Sequence, residues 1–427
     1  MAVRYWIETL GCPKNQVDSD KLAGSLDSQG YRPARDVTAA DVVVVNTCAF
    51  IEAAREESIE TILAVASAKR PGARLVVTGC LAARAGAQLA DALPEVDLVL
   101  DVGVPVPLGP RPRARRGVER AGFDLLELPR PRPRAPWAYV KVAEGCDRRC
   151  GFCAIPSFRG PQRSRPPEAI LAEVEQLGVR EVVLVAQDLA SYGRDRGAAG
   201  ALLPLVAEVA RRVERVRLLY LYPASVSDEL IDAVVATGVP YFDLSLQHAS
   251  RRLLRRMRRY GSAERFLERI AAIRRAAPDA ALRSSFIVGY PGETEEDHDV
   301  LLEFLAAAQL DWAGFFRFSP EEGTLAATLP DQVPEDVALE RLRECGELQD
   351  AITTERRQRL VGSTCEVLVD APGIGRSHRE APEIDGVVRL PPRLRRGSLH
   401  EVAIAAAEGP DLIATGARPR GRGDEWR

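Results

Sequence analysis

The chain has 427 residues, 46% of them hydrophobic and 28% charged, with a formal net charge of −3. That length exceeds what one hydrophobic core organises, so two to three domains of roughly 150 residues each are expected, and the apolar content excludes a disordered chain. No apolar run approaches the roughly 20 residues of a membrane span, and a balance this close to neutral leaves no global footprint for DNA or RNA. The opening Met1-Ala2-Val3-Arg4-Tyr5-Trp6 has no signal-peptide pattern. A cytoplasmic protein is expected, whose eight cysteines serve metal or redox chemistry rather than disulfides. Lysine occurs only at positions 14, 21, 69 and 141 while arginine is abundant, which reads as compositional bias.

Residues 1–102 alternate strand and helix. Strand candidates fall at 4–10, 41–46, 74–78 and 96–102, with a helical pattern over 51–69. Val-rich runs alternating with helices indicate a parallel α/β sheet. Residues 103–136 carry Gly109-Pro110-Arg111-Pro112-Arg113 and Pro129-Arg130-Pro131-Arg132-Pro133-Arg134, the composition of a semi-rigid, solvated linker. Residues 137–360 resume the alternation, with strand candidates at 138–143, 181–186, 216–222, 241–246, 282–289 and 313–318. A full (βα)8 barrel needs eight units, so six predict an incomplete (βα)6 barrel with one side open. A long helix over 335–360 leads out. Residues 361–427 hold short runs at 365–369, 386–390 and 400–405 separated by Gly, Pro and Asp, which suits a small antiparallel β-barrel.

The densest chemical signal is Gly145-Cys146-Asp147-Arg148-Arg149-Cys150-Gly151-Phe152-Cys153, a C-x3-C-x2-C loop. Three thiolates at this spacing wrap one corner of an iron–sulfur cube and supply no fourth ligand. Ordinary cluster sites fill all four positions with cysteine, and an open position marks catalysis. Phe152 and its apolar neighbours are placed to shield the loop from water.

Cys12, Cys48 and Cys80 share a different grammar. Each stands just past a predicted strand, behind Gly11, Thr47 and Gly79 respectively. In a parallel sheet these carboxyl ends share the edge where ligands bind, so three cysteines far apart in sequence converge. Buried packing is the alternative, since free cysteine is often a core residue, and zinc is the rival metal. Structural zinc needs four ligands, and the four histidines lie in other predicted domains. Cys345 and Cys365 have no partner at metal spacing and are assigned to packing.

At the strand ends of the barrel, Gln187, Asp188, Ser245, Gln247 and the Gly289 turn are candidate cofactor contacts. Helix capping and plain turn formation are the alternatives.

A C-x3-C-x-(aromatic)-C loop after the first strand of a βα barrel resembles the radical S-adenosylmethionine superfamily. There the open iron chelates S-adenosylmethionine and an electron cleaves it to a radical. The domain order as a whole resembles the methylthiotransferases, which join a three-cysteine domain, a radical S-adenosylmethionine barrel and a TRAM domain. Glu8-Thr9-Leu10-Gly11-Cys12-Pro13-Lys14-Asn15, Asn46-Thr47-Cys48, Thr78-Gly79-Cys80, Glu144-Gly145-Cys146 with Ile155-Pro156 and Arg159-Gly160, and Ala381–Gly386 carry the resemblance. It implies a 4Fe–4S cluster on Cys146, Cys150 and Cys153, and a second on Cys12, Cys48 and Cys80 that carries the sulfur to be inserted. One S-adenosylmethionine supplies the methyl group and another the radical; an electron donor and a sulfur donor are needed.

Two branches are possible, one acting on transfer-RNA adenosines and one on the β-carbon of an aspartate in small-subunit ribosomal protein twelve. Gly-Cys-Pro-Lys-Asn at 11–15 and Glu-Gly-Cys-Asp-Arg at 144–148 resemble the second. From residue 361 onward ten arginines meet ten acidic residues, a net of 10 − 10 = 0, which fits a protein target better than an RNA backbone. A radical enzyme that uses the second cluster for electron transfer, and a ribosome-binding protein with structural metal, are the readings from other classes.

Overall fold

The structure, a computed structural model, describes residues 2–102, 104, 106 and 125–419. The first Pro/Arg run, 109–113, lies outside the described residues.

The N-terminal domain runs β1 (Arg4–Thr9), α1 (Pro13–Ser28), β2 (Arg32–Pro33), β3 (Val42–Thr47), α2 (Glu52–Ala68), β4 (Arg74–Gly79), α3 (Cys80–Ala92) and β5 (Leu98–Val99). Its five strands are all parallel, in the order β2-β1-β3-β4-β5. The Val42–Val45 run is buried on both faces because helices cover both. Val43, Val45, Leu75 and Val77 pack with Ile62, Leu81 and Leu89 on one side; Val42, Val44 and Val76 pack with Tyr5 and Leu26 on the other. The exposed two-residue β2 has no apolar pattern and was not expected. The strand expected at 96–102 shrinks to Leu98–Val99, with the Asp97 carboxylate accepting from the Leu75 amide (2.8 Å) just before it.

The barrel follows with β6 (Trp137–Lys141), β7 (Ala143–Glu144), α4 (Ile155–Arg159), β8 (Arg163–Ser164), α5 (Pro167–Leu177), β9 (Glu181–Val185), α6 (Leu202–Ala210), β10 (Arg215–Leu221), α7 (Asp228–Ala236), β11 (Tyr241–Gln247), α8 (Arg251–Arg256), α9 (Ala263–Ala276), β12 (Ala281–Val288), α10 (Glu295–Ala308), β13 (Trp312–Arg317) and α11 (Glu335–Gln358). Six parallel strands lie in the order β13-β12-β11-β10-β9-β6, with β6 and β13 as unjoined ends. Alternation along the strands sorts two cores. Val140, Leu184, Leu218, Leu244 and Phe286 face the helices. Tyr139, Val183, Val185, Leu219 and Tyr241 face inward, where Val17 of α1 and Ala381 of the last domain join them. Both neighbouring domains thus help fill the barrel.

The last domain is a closed barrel of β14 (Thr364–Ala371), β15 (Ile374–Arg376), β16 (Val388–Arg389), β17 (Leu399–Glu408) and β18 (Asp411–Pro419). β15 and β18 were not expected from the sequence. The domain is tied down by Glu181 at the start of β9. Its buried carboxylate accepts from Arg217 Nε (2.9 Å) and Arg376 Nη1 (3.2 Å), with Arg215 Nε at 3.7 Å.

The second Pro/Arg run departs from the expected solvated linker. Arg130 is buried, donates to the Tyr139 carbonyl (2.5 Å) and pairs with Glu173 (3.1 Å) and Asp20. Gly24 of α1 lets the Pro129 carbonyl lie directly on the helix. The segment is a strap between the sheet and the barrel.

Candidate active site

Parallel register sets Asn46 beside Thr9 and Thr78 beside Asn46, so the three chains turn out of the sheet at one edge. Cys12 is the N-cap of α1, Cys80 begins α3, and Cys48 follows β3 directly. Two glycines make the convergence possible. Gly11 has φ +90, and a Cβ there would stand 2.9 Å from Cys48 Sγ; Gly79 has φ +97, and a Cβ there would meet the Thr47 backbone N and O at 2.5 Å. Asn15 clamps the turns, donating Nδ2 to the Leu10 carbonyl (2.9 Å) and the Thr47 carbonyl (3.0 Å). Ser58 Oγ accepts from the Cys48 amide (3.0 Å). Burial opposes ionisation of the Cys12 thiol, but the charges of Lys14 and Arg159 and the Asn15 and Lys14 amides outweigh it, so Cys12 titrates below its ordinary value. Burial pushes Cys48 up to about 12.

The C-x3-C-x2-C loop is fixed as tightly. The Cys146 amide donates to the Gly160 carbonyl (3.1 Å), the Gly151 amide to the Met257 carbonyl (2.8 Å), and the Ala326 amide to the Gly151 carbonyl (2.8 Å). Gly145 has φ +78 and lies against the Gly160 and Pro161 carbonyls. Phe152 is half-buried and packs onto the barrel core. The Arg148 amide points at Cys146 Sγ (3.4 Å), and Arg259 Nη1 lies 3.5 Å from Cys150 Sγ. Burial raises Cys153 to about 12 and raises Cys146 as well.

Each trio is close enough for its members to perturb one another electrostatically: Cys12 and Cys80 act on Cys48, and Cys150 and Cys146 on Cys153. Among the described residues no three His, Cys, Asp or Glu side chains gather about a single metal ion. A cube asks something different, one thiolate for each of three irons, with backbone amides aimed at sulfur. Backbone amides are aimed at Cys12 and Cys48 in one trio and at Cys146 and Cys153 in the other.

A buried charge network joins the two sites. Arg159, at the end of α4, donates Nη2 to Cys80 Sγ (3.0 Å) and to Asn15 Oδ1 (2.9 Å), and Nη1 to Asp18 Oδ2 (2.9 Å). Glu144, beside the loop, accepts from Lys141 Nζ (2.6 Å) and Gln187 Nε2 (2.7 Å). Burial would raise the Glu144 carboxyl, but Lys141 and Arg159 hold it down at about 2. The Arg159 contacts cross between domains, and sequence spacing does not reveal them.

The other candidates sort by position. Gln187 and Asp188 stand just past β9 at the mouth, and Asp188 accepts from Arg148 Nε and Ser191 Oγ, both at 2.6 Å. Gln187 Oε1 and Asp188 Oδ1 are buried acceptors with no hydrogen-bond partner, which suits a donor-bearing cofactor. Ser245 offers its carbonyl to Arg259. Gln247 has a left-handed φ of 73, where β11 slips register against β12. Gly289 serves the scaffold: a Cβ there would stand 2.7 Å from Ala338 Cβ of α11. Cys345 is buried in the core and Cys365 half-buried in the last barrel.

Residues 4–101 match the family described as Uncharacterized protein family UPF0004, residues 140–305 the Radical SAM superfamily, and residues 361–416 the TRAM domain. Among solved structures, the radical S-adenosylmethionine methyltransferase TsrM from Kitasatospora setae shares the fold at a TM-score of 0.51 and 15% identity, over 92% of this chain and 83% of that one. The chain is 46% identical to the ribosomal protein uS12 methylthiotransferase RimO of Moorella thermoacetica, over 90% of this chain and 92% of that protein. It is 42% identical to the proteins of the same name from Salinispora tropica (96% and 95% covered) and Chloroflexus aurantiacus (96% and 99% covered). With two three-cysteine sites at one interface and this likeness along nearly its whole length, the chain belongs to the ribosomal protein uS12 methylthiotransferase family of radical S-adenosylmethionine enzymes.

Proposed function

We propose that this protein is a radical methylthiotransferase that adds a methylthio group to the β-carbon of an aspartate in ribosomal protein uS12. The observation that carries the reading is the Arg159 bridge, which links the local cysteine loop to the dispersed cysteine trio across one buried interface. Cys146, Cys150 and Cys153 would hold one 4Fe–4S cluster and Cys12, Cys48 and Cys80 the other. When bound, the clusters and S-adenosylmethionine would supply the electron, the radical, the methyl group and the inserted sulfur.

The chain's own residues do the positioning. Arg148 stacks on Tyr222 at 3.8 Å and holds Asp188 beside the loop, leaving Asp188 Oδ1 and Gln187 Oε1 free to accept from S-adenosylmethionine. Phe152 and the clamped loop backbone keep water from the Cys146–Cys153 site. The Lys141, Asp18, Arg159 and Glu144 charges balance one another, so the interface is polar without being wet. An electron donor and a sulfur donor complete the reaction, and its place is the cytoplasm where uS12 is made. No helix of the described residues is long and apolar enough to cross a membrane.

Mass spectrometry of uS12 and of transfer RNA, from cells with and without this gene, tests the reading. A methylthio increment on a uS12 aspartate that disappears with the gene is expected. A gene-dependent increment on transfer RNA, or on neither, overturns it.

A further inference from the structure

Lys14 lies in the first turn of α1, two residues past Cys12. Its side chain crosses to the barrel, where Nζ stands 3.4 Å from the centroid of the Tyr220 ring. The residue is 9% exposed. Every other buried lysine and arginine among the described residues has a carboxylate partner. Lys14 has neither a carboxylate nor a hydrogen-bond acceptor; the aromatic face is its contact. The side chain is buried but its ammonium keeps some exposure, and the cation–π contact offsets only part of its charge.

The surroundings favour a negative guest. The N-terminus of the 16-residue helix α1 adds its own positive field at the same place. The wall opposite is unusual. Tyr220 adopts a left-handed φ of 65 where β10 and β11 slip register, and its amide is held by Asp243 Oδ2 at 3.0 Å. A non-glycine residue in that region is strained and persists where the surroundings impose it, often at functional sites. The other cations of the interface are engaged: Arg159 with Asp18, Lys141 with Glu144, Arg283 with Asp243 (3.0 Å) and Arg148 with Asp188.

We propose that Lys14 binds the side-chain carboxylate of the substrate aspartate and so sets its β-carbon between the two cysteine trios. This inference rests on the uS12 reading above. The β-carbon is one bond from the carboxylate carbon, so a cation that fixes the carboxylate also fixes the reacting carbon. An ammonium offers three donors on a flexible stem, enough to hold either carboxylate oxygen. A nucleobase brings no carboxylate to this charge, so Lys14 also selects the protein target over adenosine. The competing role is a purely local one, in which Lys14 acts on Cys12 and its cluster alone.

Binding of fluorescently labelled uS12 to the reconstituted holoenzyme, without S-adenosylmethionine, separates the two roles. It is measured with the target aspartate intact and with asparagine in its place, for the wild type, Lys14→Met and Lys14→Arg, alongside iron content and the potential of the N-terminal cluster. Lys14→Met is expected to weaken binding of the aspartate form about tenfold, the size of one charge-assisted contact. The asparagine form should bind Lys14→Met and wild type alike, and Lys14→Arg should keep most of the affinity. Equal weakening of both forms overturns the proposal, as does unchanged binding with shifted iron content or potential. If the wild type leaves uS12 unmodified in the mass-spectrometric test, the reading beneath the proposal fails first; if it modifies uS12 and the asparagine control shows no difference, the role of Lys14 alone fails.

Discussion

Arg159 Nη2 lies 3.0 Å from Cys80 Sγ, although Arg159 ends helix α4 of the barrel domain and Cys80 begins helix α3 of the N-terminal domain. Hydrogen bonds to ligand sulfur shift a cluster's potential upward by stabilising the reduced, more negative state. Arg159→Met should therefore make the N-terminal cluster harder to reduce. A potentiometric titration in a Cys150→Ala background isolates that cluster, and an unchanged midpoint would contradict the claim. The same change leaves Asp18 and Glu144 short of a buried counter-charge, a loss of about 3–5 kcal/mol of stability. Arg159→Lys should recover part of it.

The two cysteine trios should fail separately. Cys12→Ala should reduce iron bound after anaerobic reconstitution to about half while reductive cleavage of S-adenosylmethionine survives. Cys150→Ala should also lose about half the iron but abolish cleavage. Full iron content and full methylthiolation in Cys12→Ala would remove the second cluster from the scheme.

Gly79→Ala probes the dispersed site without touching a ligand. The added Cβ would press on the Thr47 backbone at 2.5 Å, from a φ of +97 that alanine resists. Because backbone cannot swing aside, Thr47 and Cys48 must shift. Iron at the N-terminal site should drop with the barrel cluster retained, read by iron content in the Cys150→Ala background.

Glu181 anchors the last domain to the barrel with three arginines around one fully buried carboxylate. Glu181→Gln leaves Arg215 and Arg217 without a carboxylate, while Arg376 keeps Asp370, and should cost about 3–5 kcal/mol. Denaturant unfolding should show the loss in the midpoint, and a change under 1 kcal/mol would mean the anchor lies elsewhere.

The same interface has a pH signature. Despite burial, neighbouring arginines hold Glu181 and Glu380 below their ordinary value of 4.5. Their contribution is complete above about pH 4.5 and is lost on further acidification. Asp385 runs the other way. Burial pushes its carboxyl from 3.8 to about 6, against the pull of Arg283. Folding therefore favours protonated Asp385, and that advantage is lost as pH rises through about 6. Between about pH 4 and 6 the stability of the wild type should fall relative to Asp385→Asn; parallel curves for the two over that window would refute the assignment.

Much of this was legible because the physics was local. Buried valine runs declare a parallel strand in a few residues, and the C-x3-C-x2-C spacing just after the first barrel strand singles out Cys146–Cys153. Cys12, Cys48 and Cys80 became legible through a topological rule about strand ends. What stayed hidden depends on pairing across domains. Arg130 read as linker until Glu173, 43 residues on, took its charge. Arg159 stood in a family motif without a role, since its partner Asn15 is 144 residues away. The left-handed backbone of Tyr220 has no sequence signal, for it arises from a register slip between neighbouring strands.

The two cysteine trios also differ in when they can exist. Cys146–Cys153 spans one short loop, so bringing its three cysteines together closes few residues of chain, although Met257 and Ala326 later clamp it. Cys12, Cys48 and Cys80 meet only once β1, β3 and β4 have paired. On the proposed ligand assignment, the loop trio could take its cluster early, while the dispersed trio would have to await a finished sheet. Maturation acquires a sequence of events, and a folding defect in the N-terminal domain would yield a half-loaded protein rather than an empty one.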